Sequence, residues 1–384
     1  MTTAYKFRLY PKKEQQDKLD LSLEACRKTY NHLLAGLDER FTKNELQNYL
    51  LDLKSVYPEM NNIHSKVLQM ENQRLFSNLS SLVKLKNKGY KIGRLRFKGK
   101  NWFKTFTYNQ SGFKLTYLKA KKGILFLSKI GNVPIRLHRP VDGKIKSITI
   151  KKSIGNWYCS IITDAVIKRE CGNGEIGIDV GIENYIYDSN GNTYKNPKHF
   201  DNYHKELKVA QQSLSRKVKG SNSRKKAKLK VAKIHEKIVN VRNDFIHKIS
   251  TKLIKENKFI AIEKLNIKHL IGISYNAKNI TDASWGKLSC YLHYKAENAG
   301  CVVQDVDPTY TTRNCSFCGH RNNKLELSQR KFICENCKRE LPRDYNSALN
   351  IFICGKELTT MEKSTNTEQS VQQVVSMKSE TSSI

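Results

Sequence analysis

The spacing of apolar residues divides the first half of the chain into helical and strand-like segments. A short alternating run covers residues 5–10. Apolar positions then recur every three or four residues, the spacing of one helix face, through residues 14–37, 45–53 and 63–85. Alternating runs separated by turn residues follow at residues 94–97, 103–108, 123–127, 133–137, 145–150 and 157–162. The pattern predicts an N-terminal strand, an all-helical insert and a β-barrel or sandwich.

A second arrangement of elements begins at Glu175. The runs at 175–180, 185–187 and 193–195 predict a three-stranded antiparallel meander, because Asn190-Gly191 is a strong hairpin turn. Residues 203–258 predict a long helical hairpin that is interrupted near Gly220. The elements predicted after it are a buried strand at 259–263, a helix at 285–299 and a strand at 301–306. The fold class is therefore α+β with several domains.

The C-terminal segment lacks such periodicity. Residues 355–384 are rich in Ser, Thr, Gln and Glu. This composition favours a disordered tail.

The charge balance indicates a polyanionic partner. The 384 residues include 69 Lys and Arg and 35 Asp and Glu, a formal net charge of +34. Residues 203–258 alone carry seventeen basic and four acidic residues. Such a density favours a nucleic-acid groove over a solvated helix face. Basic and aromatic residues also alternate through 98–108, where phosphate contact with base stacking and an ordinary half-buried strand pair remain equally open.

Two further features bear on where the protein works. We expect a soluble, intracellular protein without a membrane partner, since the longest apolar runs are shorter than a transmembrane helix and residues 1–16 are polar. Four of the ten cysteines form two close pairs, whereas the other six are scattered. A reducing compartment fits this usage best.

The two cysteine pairs predict a metal site. Cys315 and Cys318 form one C-x2-C pair, Cys334 and Cys337 form a second, and fifteen residues separate the pairs. This is the spacing of a four-cysteine zinc ribbon. Four thiolates complete the tetrahedral coordination of Zn²⁺, so the ion is expected to be structural.

Three acidic residues lie on apolar elements. Asp179 lies within a predicted strand, Glu263 ends another, and Asp344 starts the last helix. Considered alone, Asp344 is best interpreted as an N-cap, whereas for Glu263 a solvated strand end and a metal ligand remain equally open. A buried acid such as Asp179 needs a partner, however, and Mg²⁺ or Mn²⁺ is suited to carboxylate ligands. Two such ions can promote phosphodiester hydrolysis, which predicts a nuclease.

The order of these features resembles that in TnpB, a protein encoded by insertion sequences and related to type V CRISPR effectors. The resemblance covers nearly the whole chain. It rests on the motifs YKFRLYP (5–11), CRKTYN (26–31), GIDVG (177–181), IEKLN (262–266), YKAE (294–297) and DYNSALNI (344–351). One departure is visible, because Pro342 precedes Arg343 where the family usually has an acidic residue.

The resemblance implies an RNA-guided DNA endonuclease with an RNase H-like (RuvC) core, whose metal-binding and catalytic acids fall on Asp179, Glu263 and Asp344. It implies guide RNA and a double-stranded DNA target as partners, with cleavage beside a short flanking motif. We expect a cytoplasmic, nucleoid-associated monomer. The implied domains are a β-barrel wedge (1–10 and 90–170), a helical recognition domain (11–89), a nuclease core (171–311 and 341–354), a zinc ribbon (312–340) and the tail (355–384).

Two other functions remain open. A nuclease-inactive, RNA-guided DNA-binding regulator could share this architecture, although such relatives are expected to lose acids that this chain retains. A transposase could also use three acids on an RNase H-like core. The ribbon inserted before the third acid argues against that alternative.

Overall fold

The computed structural model describes residues 2–39, 42–166, 169–323, 326 and 329–380, and of residues 38–39 and 362–380 the backbone alone. The chain divides into two compact units, Met1–Ile167 and Lys168–Ile384. Each unit has its own sheet and hydrophobic core.

The first unit contains an antiparallel sheet of seven strands. The strands are β1 (Thr3–Leu9), β2 (Thr105–Asn109), β3 (Phe113–Tyr117), β4 (Lys122–Leu127), β5 (Gly131–Arg136), β6 (Ile145–Ser153) and β7 (Asn156–Thr163). Their order is β2-β6-β7-β1-β5-β4-β3. The N-terminal strand β1 is central, pairing with β7 along its length and with β5 at its end. Alternate β1 residues Tyr5, Phe7 and Leu9 are buried, as period-two patterning predicts.

Three helices cover this sheet's core. They are α1 (Lys13–Ala35), α2 (Lys43–Val56) and α3 (Ser65–Asn87). The predicted apolar stripe of α1, from Leu19 through Leu33, is buried. The helices and strands share one continuous hydrophobic cluster, so the predicted helical and β-rich regions of this unit fold around a common core.

Two predictions for this unit are wrong in detail. Residues 94–97 form no strand, because their backbone groups do not pair with a strand of the sheet. Arg94, Arg96 and Phe97 are exposed. The edge strand β3 was missed, although its sequence FKLTY alternates between apolar and polar residues, and three of its five residues are exposed.

The second unit contains a mixed sheet of five strands. They are β8 (Gly174–Val180), β9 (Asn184–Asp188), β10 (Thr193–Lys195), β11 (Asn257–Glu263) and β12 (Val302–Val306). The order is β10-β9-β8-β11-β12. The first three form the predicted antiparallel meander, while β11 runs parallel to both β8 and β12. The central strands β8 and β11 therefore end at the same edge.

Helices lie on both faces of this sheet. They are α4 (His199–Ser215), α5 (Asn222–Glu256), α6 (Ile267–Ile273), α7 (Ala277–Ala283), α8 (Trp285–Ala299) and α9 (Arg343–Glu380). The short helices α6 and α7 were not predicted, because seven residues are too few to show helical periodicity. The core under α5 and α8 contains Ile176, Ile178, Ile260 and Ile262. The opposite core, under α9, contains Phe259 and Ala261.

The C-terminal segment differs from its prediction. The helix that begins at Arg343 continues to Glu380, whereas disorder was expected from residue 355. The segment after Gly355 contains no proline or further glycine, and its Glu, Lys and Gln residues have good helix propensity. The low hydrophobicity of this segment argues against a helix packed in the core, but it is compatible with a helical backbone conformation.

The ten cysteines are all free thiols. Among the residues that the structure describes, no helix is long and apolar enough to cross a membrane.

Candidate metal-binding sites

The cysteine cluster, defined as Cys315, Cys318, Cys334 and Cys337, brings four thiols together. Their sulfur atoms all lie within 4.8 Å of one another. The Cys315–Cys337 and Cys318–Cys334 sulfur pairs are 3.7 and 3.5 Å apart. A tetrahedral site with metal–sulfur distances of about 2.3 Å has sulfur–sulfur edges of about 3.8 Å. The cluster is therefore compatible with the structural zinc ion that the two C-x2-C pairs predict.

The backbone shapes both halves of the cluster in the same way. The amides of Cys315 and Cys334 donate to the carbonyl groups of His320 and Arg339, each five residues later. The residues four positions after these cysteines, Gly319 and Lys338, have left-handed backbone conformations. The ladder of β13 (Lys331–Ile333) and β14 (Glu340–Pro342) holds the second half, with Phe332 buried against Cys315 and Cys334. A backbone hydrogen bond at His320 lowers the pKa of Cys318 to about 6, whereas desolvation and the other three cysteines raise the pKa of Cys337 to about 11. Cys318 is therefore the more readily deprotonated of these two thiols.

The carboxylate set, defined as Asp179, Glu263 and Asp344, is assembled by the sheet of the second unit. Strands β8 and β11 are in register at Ile178 and Ile262, so Asp179 and Glu263 are each one residue beyond this pair. The isoleucines face the core under α5 and α8. Because successive side chains alternate between faces, both carboxylates lie on the α9 face.

Helix α9 contributes the third acid. Asp344 lies in the first turn of α9, which packs across β8, β11 and β12. A side chain at Gly177 would place its Cβ 2.5 Å from the Phe352 amide nitrogen, and one at Gly355 would place it 2.5 Å from Ala261 Cβ. These two glycines allow the helix to approach the sheet closely, which places its N-terminal end beside the ends of β8 and β11.

The pKa of Asp179 depends on the two other acids of the set. Burial raises the pKa of Asp179 well above its usual range, and the charges of Glu263 and Asp344 raise it further. The nearby Arg343 acts in the opposite direction. Burial also raises the pKa of Glu263, while a hydrogen bond from Thr311 lowers it. The charge of Asp307 raises the pKa of Glu263 further. A buried carboxyl group with two acidic neighbours has the donor chemistry of a site for a hard divalent cation.

The cysteine cluster is compact enough to surround one ion. Among the described residues, it is the group of three or more Cys, His, Asp or Glu residues that could hold a metal ion.

The polar residues around the carboxylate set were not singled out in the sequence as functional. Thr311 Oγ1 donates to Glu263 Oε1 at 2.6 Å. The side-chain amides of Asn346 and Asn350 on α9 both donate to the Asn314 carbonyl group, at 2.8 and 2.7 Å. Both asparagines belong to the DYNSALNI motif, whose i, i+4 spacing puts them on one face of α9. That spacing was the sequence feature that could have identified these two asparagines.

A lysine lies buried elsewhere in this unit. Lys295, in the YKAE motif, is 1 % exposed. Its Nζ donates to the His247 carbonyl group and to the hydroxyl groups of Ser250 and Thr251, at 2.6–2.8 Å. Burial lowers its pKa to about 8. Three acceptors on α5 hold this lysine on α8, so it joins the two helices beneath the sheet.

The basic hairpin, defined as α4, α5 and the residues between them, has an apolar seam and a charged exterior. Leu207, Ala210, Ile234 and Ile238 form the seam. Lys225, Lys226 and Lys228 are exposed, as expected of a nucleic-acid surface. Arg224 is different, because its guanidinium donates to the carbonyl groups of Leu214 and Lys217 at 3.0 and 2.8 Å. It therefore satisfies the end of α4, which removes it from the set of free cations.

The aromatic residues of 98–108 divide into two groups. Phe103, Phe106 and Tyr108 are buried, as in an ordinary half-buried strand. Trp102 is 66 % exposed, and Lys98 Nζ lies 5.4 Å from the centre of its ring. The Asn31 side chain accepts from the Lys98 amide and donates to its carbonyl group, which anchors this segment to α1. Of the predicted aromatic residues in this run, Trp102 is the one exposed enough for base stacking.

Three family models match parts of the chain. Residues 160–274 match a family described as "Probable transposase". Residues 285–351 match "Cas12f1-like, TNB domain", which spans the cysteine cluster and Asp344. Residues 1–45 match "Helix-turn-helix domain".

Curated proteins resemble the chain over most of its length. A protein of Escherichia coli (strain K12), named "Putative RNA-guided DNA endonuclease InsQ", is 29 % identical, and the match covers 92 % of each chain. A protein of Streptomyces pristinaespiralis, with the same name but without InsQ, is 30 % identical, and the match covers 92 % of this chain and 89 % of that one. A "CRISPR-associated endodeoxyribonuclease Cas12f1" of Sulfoacidibacillus thermotolerans is 27 % identical over about half of each chain.

Two solved structures share the fold. One is described as "Cryo-EM structure of the Cas12f1-sgRNA-target DNA complex", and its matched chain has a TM-score of 0.59 at 15 % identity, with 91 % of this chain and 98 % of that chain covered. The other, "Structure of the mini-RNA-guided endonuclease CRISPR-Cas_phi3", has a TM-score of 0.53 at 9 % identity, with 91 % and 92 % covered. The likeness extends over both units.

Proposed function

This chain belongs to the TnpB family of RNA-guided DNA endonucleases, and on that premise we propose that it cleaves target DNA with Asp179, Glu263 and Asp344. The observation that carries the proposal is the meeting of these residues at one edge of the β8–β11 sheet, although 165 positions separate the first from the last. The sheet order β10-β9-β8-β11-β12, with an antiparallel meander followed by parallel strands, supports an RNase H-like (RuvC) core.

The three acids would hold Mg²⁺ or Mn²⁺, and Zn²⁺ would occupy the cysteine cluster. A divalent cation supplies charge neutralisation for a developing oxyanion and favours deprotonation of water. The register of β8 with β11 sets the distance between Asp179 and Glu263, and the start of α9 sets the position of Asp344. The charges of Glu263 and Asp344 disfavour the anionic form of Asp179, so binding of a cation there would be coupled to loss of the Asp179 proton.

The nucleic-acid partners follow from charge and family. We propose guide RNA and double-stranded DNA next to a short flanking motif, with phosphate contacts supplied by the exposed lysines of the basic hairpin. In the first unit, the seven-stranded sheet would serve as the wedge and the three helices as the recognition region. The ribbon at 312–340 would serve in loading of the target.

Two alternatives are less well supported. A regulator without nuclease activity does not need three acids that converge on one site, and here all three are retained. The family description "Probable transposase" favours a transposase, but the curated relatives that match nearly the whole chain are named for RNA-guided endonuclease activity. The chain retains the features of the nuclease.

The test is cleavage by the purified ribonucleoprotein. RNA that copurifies with the protein would be sequenced, and a matched DNA target with randomised flanks would be incubated with Mg²⁺. Cleavage at one position beside an enriched flanking motif supports the proposal. A wild-type complex that binds its matched target but leaves every flank variant intact in Mg²⁺ and in Mn²⁺ would favour the regulator.

A further inference from the structure

A buried hydroxyl group contacts the middle residue of the carboxylate set. Thr311 is 4 % exposed, and its Oγ1 lies 2.6 Å from Glu263 Oε1 and 3.2 Å from the Pro308 carbonyl oxygen. A threonine hydroxyl has one proton, so it cannot donate fully to both acceptors. The shorter bond to a carboxylate is the stronger one. Thr311 therefore donates to Glu263 at Oε1, and the remaining lone pairs of the carboxylate can bind a cation.

The position of Thr311 is itself set by α9. The Asn350 side-chain amide donates to the Thr311 carbonyl group at 2.8 Å as well as to that of Asn314. One turn earlier, the Asn346 side chain donates to Asn314 and accepts from the Ser316 amide at 3.0 Å. Both asparagines are at most 8 % exposed. The loop that carries Thr311 is thus fastened to the helix that carries Asp344.

From this chain of contacts we infer that Thr311 is a positioning residue that sets the orientation of the Glu263 carboxylate relative to Asp344. The inference rests on the proposed function of the carboxylate set. A glutamate side chain has three rotatable bonds, and its last torsion is broad, so strand β11 alone does not determine where the two oxygens point. A hydrogen bond from a donor in a fixed position determines their direction. Such outer interactions typically change metal affinity or activity by about 10- to 100-fold when they are removed.

A purely structural role for Thr311 makes a different prediction. If the hydroxyl only fills a polar gap in the loop, its loss lowers stability but leaves divalent-cation affinity unchanged in the folded protein. If it positions Glu263, cation affinity falls even where folding is intact. Measuring ion binding separately from stability distinguishes the two roles.

The experiment uses the full chain with its copurified RNA and four variants. Thr311→Val removes the hydroxyl at nearly constant volume, and Thr311→Ser retains it. Thr309→Val is the matched control, because its hydroxyl lies in the same loop but donates to Asp307. Glu263→Gln reports on the carboxylate itself. Mn²⁺ binding is measured by electron paramagnetic resonance without DNA, and zinc content and melting temperature are measured in parallel.

We expect Thr311→Val to weaken Mn²⁺ binding by about 10-fold or more, whereas Thr311→Ser and Thr309→Val stay within about threefold of the wild type. Zinc content should remain unchanged in all of them. Wild-type Mn²⁺ affinity in Thr311→Val, or an equal loss in the Ser variant, would overturn the inference. If Thr311→Val does not fold, Ser is compared with Thr311→Cys, which is similar in size but a poor donor. Equal Mn²⁺ affinity of that pair would also overturn it.

The Glu263→Gln variant separates failure of the inference from failure of the proposed function. If this variant binds Mn²⁺ and cleaves DNA like the wild type, the carboxylate set is not the nuclease site. If it loses both properties while Thr311→Val retains them, the nuclease site stands and the role of Thr311 is wrong.

Discussion

The cysteine cluster and the carboxylate set are two candidate metal sites built in opposite ways. The cluster takes its ligands from two pairs within 23 consecutive residues, and a few local backbone hydrogen bonds shape it. The carboxylate set takes its ligands from β8, β11 and α9, and its geometry depends on strand register and on the close approach of a helix at two glycines.

This difference predicts how each site responds to change. A four-thiolate site encloses its ion and contributes folding energy directly, so its loss affects the ribbon as a whole. The carboxylates stand on a sheet with its own hydrophobic core. We therefore expect the fold to survive the loss of one carboxylate.

The largest effect is expected at the cysteine cluster. Cys334→Ser removes a buried ligand, so the zinc content should fall from about one ion per chain to near zero. The ribbon should unfold with it, since zinc binding supplies about 10–16 kcal/mol in comparable small sites. Elemental analysis and protease digestion of the ribbon provide the measurements, with the scattered, exposed Cys290→Ser as the control. Native protein without zinc would contradict the assignment.

The carboxylate set should show the reverse combination, with chemistry lost and fold retained. Asp179→Ala removes a ligand and should lower the cleavage rate by at least about 10³-fold, because cation-based stabilisation of charge is worth several kcal/mol. Guide and target binding should stay near the wild-type level, and so should the melting temperature. Asp201→Ala on α4, an exposed acid paired with Lys278, is the control. Full cleavage by Asp179→Ala would exclude this site.

A buried acid in the first unit sharpens the comparison further. Glu71 is fully buried beside Arg74, 3.0 Å from its guanidinium, and burial raises its pKa to about 7. Its neighbour is a cation, so its burial requires no metal. Since the folded pKa is raised, the unfolded chain loses the proton first as the pH rises. Protonated Glu71 therefore contributes fully to the free energy of unfolding below about pH 4.5. This contribution is lost by about pH 7, which lowers the free energy of unfolding by about 3 kcal/mol.

Glu71→Gln should remove this component. Urea unfolding of the full chain in a Trp285→Phe background leaves Trp102 and Trp157, both in Met1–Ile167, as fluorescent probes. The slope of unfolding free energy against pH should flatten between pH 4.5 and 7 in Glu71→Gln and persist in the exposed control Glu59→Gln. An unchanged slope in Glu71→Gln would show that another group titrates.

The smallest effect is expected on the basic hairpin, where no single residue dominates. Replacing Lys225, Lys226 and Lys228 by Gln should reduce the log–log salt slope of target binding by about 0.9 for each phosphate of duplex DNA that is no longer neutralised. Sequence preference should remain, because phosphate contacts carry no base information. Lys13→Gln with Lys18→Gln is the control, since Asp17 and Glu14 already pair with these lysines. A wild-type slope in the triple variant would make the hairpin a solvated face.

Sequence periodicity alone determined most elements of both units. The apolar stripe of α1, the meander of β8 to β10 and the strand β11 were all predicted, because each buries one regular face against a core. The cysteine cluster was predicted for a related reason, since its ligand spacing is local. The prediction was wrong at 94–97, where most residues are exposed and no strand forms, and it omitted the edge strand β3. It also did not include the helical backbone that continues to Glu380.

The tertiary structure decided the features that depend on distant residues. The order of three acids predicted a shared site, but the face they occupy follows from the register of β8 with β11 and from Gly177 and Gly355 beneath α9. The sequence identifies Thr311 only as a loop residue, whereas the structure shows that it donates a hydrogen bond to Glu263. Likewise, the sequence shows Arg224 as one of seventeen basic residues, whereas the structure shows that it donates to a carbonyl group at the end of α4. Local patterns determine which residues are buried, because burial repeats with the backbone period. Partners across the fold depend on packing between elements, which no local period contains.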